Sequence, residues 1–87
     1  MTSQNPCIDA RRLLGRITQL AAIGATDEGS CCRLALTDED AAGRSLVCGW
    51  MRELGLQVQV DAIGNIFGLR AGAEDLPPVM TGSHIDT

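Results

Sequence analysis

Gly55-Leu56-Gln57-Val58-Gln59-Val60-Asp61-Ala62-Ile63-Gly64-Asn65-Ile66-Phe67-Gly68-Leu69-Arg70 is the stretch whose reading decides the fold class. Leu56, Val58 and Val60 alternate with Gln57, Gln59 and Asp61, a period of two that belongs to a half-buried strand. Gly64-Asn65 supplies a tight turn, with Asn65 expected at φ above zero, and Ile66 to Arg70 is the returning strand of a hairpin. Gly55 stands where a helix ends on a left-handed residue.

Upstream the period changes. Ala42, Leu46, Trp50 and Leu54, with Val47 beside them, recur at helical spacing and form an expected buried stripe, on which Trp50 is core. Thr37, followed by Asp38, Glu39 and Asp40, starts this helix: the hydroxyl accepts from a free amide and the acids face the positive end of the dipole. Ala25 to Ser30 is a loop of Gly, Ser, Thr and acidic residues. Before it, Leu13, Leu14, Ile17, Leu20 and Ala21 mark an amphipathic helix from Asp9, its N-cap, to about Ile23, with Gly24 as the stop. Downstream, Ala71 to Asp75 is a loop, Pro77-Pro78 can begin a strand but not sit in its middle, and Val79-Met80-Thr81 is expected to be a third strand. The order helix, helix, strand, strand, strand makes an α/β layer that covers one sheet face at best and leaves an edge open.

Composition bounds the partners. With 87 residues and 45% hydrophobic content the chain is globular, one small domain in length. A chain this short buries only about 60 to 65% of its unfolded surface, so its core is thin. The net charge is -4, and the seven basic residues are all arginines, scattered from Arg11 to Arg70, which argues against a nucleic-acid or anionic-membrane partner. No apolar h-region lies in Met1 to Arg12 and no stretch has the length of a membrane span, so a cytoplasmic location is expected. Cys7, Cys31, Cys32 and Cys48 match no zinc-ribbon or CxxC spacing and read as reduced thiols, Cys48 in the core and the adjacent pair in a loop.

The chemistry-bearing element is His84-Ile85-Asp86, after an apolar run. Residues two apart in an extended segment point the same way, so Asp86 can accept from one ring nitrogen of His84 while the other faces a metal. Spacing alone also fits a hydrogen-bonded surface pair. A catalytic zinc needs about three protein ligands, and the chain has one histidine, so these residues suggest a site without completing it.

Several blocks together are similar to the hydantoinase/carbamoylase family of amidases, which includes N-carbamoyl-L-amino-acid hydrolases, allantoate amidohydrolases and β-ureidopropionases. They are Arg33-Leu34-Ala35-Leu36-Thr37-Asp38-Glu39-Asp40, the helix to Gly49-Trp50-Met51, Gly55-Leu56, Val60 to Gly68, and Pro77 to Thr87. The resemblance covers nearly all the chain after Arg12. It implies that residues 1–87 are the N-terminal part of a dinuclear-metal aminopeptidase-like catalytic domain, incomplete, with the lid and dimerisation domain beyond a point matching Thr87. It also implies hydrolysis of a linear amide or ureido C–N bond in a small-molecule substrate, two zinc or manganese ions, and a homodimer for the full-length form. His84 matches the family's first metal ligand and Asp86 the catalytic acid that orients it. The implied reaction is attack of metal-activated water on the carbamoyl or ureido carbon, with a carboxylate shuttling the proton.

One local departure is Ser30-Cys31-Cys32, where relatives carry a Gly-Val-Thr-like stretch, so no substrate contact is carried over to that loop. Asp61 reads best as a strand-end polar group and Arg33 as a structural ion-pair partner. Two other readings stand beside the enzyme: an inactive remnant, and a binding module that recruits another chain through the open sheet edge.

Overall fold

A computed structural model describes residues 6–87. Helix α1 spans Ala10–Ala21, α2 Asp38–Glu53, and strands β1 Gln57–Val60 and β2 Ile66–Leu69 form a two-stranded antiparallel sheet. Both helix starts follow from their caps. Asp9 accepts from the Arg12 amide at 3.0 Å, and Thr37 Oγ1 accepts from the Asp40 amide at 3.3 Å. Asp40 reaches back to accept from the Leu36 amide at 3.1 Å, a reciprocal arrangement related to the capping box. Leu36 itself takes the left-handed φ of 69°, which no turn signal in the sequence announces.

The hairpin pairs Val60 with Ile66 and Gln57 with Leu69, so its loop is the five residues 61–65 rather than a two-residue turn. The positive φ falls on Gly64, at 92°, and not on Asn65. Asn65 serves the loop through hydrogen bonds instead: its amide and side-chain nitrogen both donate to the Asp61 carboxylate, at 2.8 Å each, and Asp61 also accepts from the Ile63 amide at 3.1 Å. Asp61 is therefore the organiser of the loop.

The expected third strand does not form. Residues 79–81 have no hydrogen-bonded neighbour strand, and Val79 and Met80 are 101% and 80% exposed. Pro77 and Pro78 remove two donors ahead of this run, and an apolar run without a neighbouring strand has no ladder to join. Pairing occurs later. Arg33 and Thr87 exchange both main-chain bonds, at 2.7 and 2.8 Å, the pattern of an antiparallel hydrogen-bonded pair.

The centre of the molecule is small and partly polar. Cys48 is the one buried hydrophobic residue among the described residues, and Arg33, Asp40 and Gly43 are buried as well. The expected stripe on α2 is displaced: Leu46, Val47 and Trp50 are half-buried, but Ala42 and Leu54 are exposed. Two partners divide the helix between them. The hairpin covers the side bearing Met51 and Cys48, where Met51 Sδ would lie 3.0 Å from a Cβ at Gly68, and α1 approaches the side bearing Trp50, over which the Arg16 guanidinium sits at 5.5 Å. The apolar face of α1 stays largely open, with Leu14 and Ile17 62% and 56% exposed. No helix among the described residues is long and apolar enough to cross a membrane.

Candidate functional site

The segment after Gly82 runs extended to Thr87, where the pairing with Arg33 fixes it. Alternation along it turns His84 and Asp86 to one side and leaves Ile85 half-buried on the other. His84 Nδ1 lies 3.0 Å from the Asp86 main-chain carbonyl oxygen and 3.3 Å from its carboxylate Oδ1. The nearer acceptor is thus the carbonyl, with the carboxylate beside it. With its proton on Nδ1 the neutral ring donates toward Asp86 and keeps a lone pair on Nε2. The two side chains are 79% and 53% exposed, so that lone pair is accessible.

Among the described residues no group of three or more His, Cys, Asp and Glu side chains could hold a metal ion. The donor set fits one ligand position, a supported imidazole, and supplies no second. Two shallow depressions flank α2, one lined by Gly24, Cys32, Leu34 and Thr37, the other by Arg44, Cys48, Val60 and Ile66, and neither includes His84 or Asp86.

Arg33 is where the residues depart most from expectation. It is 5% exposed and forms no ion pair among the described residues; its guanidinium donates to main-chain carbonyls, Nε to Ile85 at 2.8 Å and Nη1 to Leu20 at 2.9 Å and to Ile23 at 2.6 Å. Cys31, half-buried, accepts from the same Nη1 at 3.2 Å and donates to the Ile23 carbonyl at 3.3 Å, while Cys32 is exposed. The paired cysteines thus stand at the end of a short loop, residues 26–30, that the bridge between Ala25 and Cys31 closes. Asp61, in the hairpin loop, has its carboxyl held below the ordinary aspartate value of 3.8, first by the Asn65 side chain and then by the Asn65 amide.

No family model matches the chain. In sequence it is 47% identical over 81 residues to an N-carbamoyl-L-amino-acid amidohydrolase of Pseudomonas sp. (strain NS671), covering 92% of this chain and 20% of that protein. It is 42% identical over 80 residues to a ureidoglycolate hydrolase of Arabidopsis thaliana, covering 91% of this chain and 17% of that protein. In structure it matches a hydantoinase/carbamoylase family amidase from Burkholderia ambifaria with a TM-score of 0.88 and 49% identity, over 92% of this chain and 20% of that one. An amidase of the same description from Burkholderia multivorans gives 0.87 and 51%, over 91% and 20%. The chain therefore spans about a fifth of the length of the curated relatives it matches.

Proposed function

We propose that this chain, whose sequence and fold are those of the hydantoinase/carbamoylase amidases over the matched fifth of their length, contributes the His84–Asp86 element of a metal-dependent hydrolase of linear amide or ureido C–N bonds. The observation that carries the reading is the geometry at His84: Nδ1 lies against Asp86 in a largely exposed side chain, which leaves Nε2 as the nitrogen available to a metal. In this reading Asp86 fixes the tautomer and orientation of the ring and raises its basicity. Divalent metal, zinc or manganese, supplies activation of water and polarisation of the scissile carbonyl when bound. The small-molecule substrate belongs to the N-carbamoyl amino acid or allantoate class, and the full-length form is a homodimer. The 87 residues alone are inactive, because a single imidazole does not hold a metal pair.

Paired substitutions in the full-length polypeptide test the assignment. His84→Ala is expected to lower zinc occupancy and nearly abolish hydrolysis of an N-carbamoyl-L-amino acid. Asp86→Asn retains the nearer carbonyl acceptor and loses only the carboxylate, so its loss should fall toward the low end of the roughly 10- to 100-fold range for groups that orient a ligand. Wild-type zinc content and turnover in His84→Ala would refute the site. The pair would then be a surface contact contributing at most about 1 kcal/mol to stability.

A further inference from the structure

We propose that Arg33 is a positioning residue for the segment that carries His84 and Asp86, an inference that rests on the reading of that pair as part of a metal site. A guanidinium that is 5% exposed needs partners for its N–H groups, and no carboxylate among the described residues forms an ion pair with it. Carbonyl oxygens take that role. Two belong to the C-terminal end of α1 and the turn after it, Leu20 and Ile23, where the helix dipole is negative. Helix α1 has no basic residue in its own last turn, so the cation comes from Arg33.

The third carbonyl is that of Ile85, the residue between His84 and Asp86. The main chain of Arg33 then pairs with Thr87 in both directions. One residue thereby holds the segment at 85 through its side chain and at 87 through its backbone. In an extended segment this leaves 84 and 86 directed together. Arg33 touches neither the imidazole nor the carboxylate; it acts through the main chain on which they are mounted.

The slot for Arg33 is built by absence of side chains. A Cβ at Gly43 on α2 would come within 2.9 Å of Arg33 Cδ, and Gly24, at φ +87°, approaches the Cys32 carbonyl so closely that a Cβ there would collide with its oxygen. Lysine does not replace the residue. Its ammonium is a single point of charge, whereas the fork of Arg33 reaches Ile85 from Nε and the end of α1 from Nη1 simultaneously.

Amide hydrogen exchange and zinc titration on the full-length polypeptide test this. Arg33→Met should raise exchange at residues 82–87 by at least tenfold and leave the hairpin peptides 57–69 unchanged, with zinc affinity falling about 10- to 100-fold, as for other groups that orient a ligand. Arg33→Lys should recover part of both, and Gly43→Ala should move both in the same direction by less. Cys48→Ala serves as the control that lowers stability from the core without touching the segment, and it should leave zinc affinity unchanged. Wild-type exchange at 82–87 in Arg33→Met, or a zinc affinity that falls no further than in Cys48→Ala, overturns the positioning role. If His84→Ala retains its zinc, the site reading fails instead, and the exchange result alone decides the role of Arg33.

Discussion

Produced as residues 1–87 only, the chain should not melt in one sharp step, and the magnitude follows from its surface. A compact monomer of 9.2 kDa exposes about 4,900 Å², whereas this chain exposes 7561 Å². Its radius of gyration is 15.6 Å, against about 12 Å for a compact domain of this length. The excess of roughly 2,600 Å² is a little over half apolar by the usual proportions of protein surface. At about 25 cal/mol per Å², even a third of that apolar excess is worth roughly 12 kcal/mol, as much as the whole stability of a typical domain. The uncovered area is located: Leu13, Leu14 and Ile17 on α1, Val60 and Leu69 on the hairpin, and Val79 and Met80 beyond it. Urea titration followed by far-ultraviolet circular dichroism and Trp50 fluorescence, with light scattering alongside, is the assay. The expected result is a broad, probe-dependent loss of signal, or association through the exposed faces. A soluble monomer whose two signals fall together in one steep transition would refute the reasoning.

Two further predictions concern local structure. Because the Asp61 carboxyl is held below its ordinary value by Asn65, its contribution to the hairpin is present above pH 3.8 and is lost as pH falls through its lower folded value; protection of the Asn65 amide, relative to its intrinsic exchange at each pH, should therefore fall only as pH drops through that lower value, and Asp61→Ala should lack that protection at neutral pH. Gly24→Ala combines a left-handed residue with a contact to the Cys32 carbonyl oxygen and endangers the bond from the Cys32 amide to the Gly24 carbonyl, a cost of about 2 to 4 kcal/mol in opening free energy at Cys32, while Gly55→Ala, with the same kind of φ and open space around it, should cost only about 1 to 2 kcal/mol.

Legibility in the sequence followed the range of the interactions. Asp9, Thr37 and the Gly24 and Gly55 stops act within a few residues, so both helices were readable to within about two residues of their ends. The alternation from Leu56 to Val60 likewise gave the hairpin. The third strand was misread because Val79-Met80-Thr81 has strand composition, but a strand needs a neighbour, and the described residues provide none there. On α2 the large apolar residues do not mark the buried face; Gly43 and Cys48 mark it, since close approach by Arg33 and the hairpin selects small residues. The His84–Asp86 contact was legible from a separation of two. Arg33 reads from the sequence as an ion-pair partner, whereas its acceptors are carbonyls at separations of 13, 10 and 52 residues that carry no side-chain signature.

Metal binding by His84 through Nε2, with Asp86 holding Nδ1, is addressed directly by anomalous diffraction at the zinc edge from crystals of the full-length polypeptide. The expected result is a zinc peak about 2.0 to 2.1 Å from His84 Nε2 with Nδ1 turned to Asp86. A zinc bonded through Nδ1, or a zinc site with no contact to His84, would contradict it.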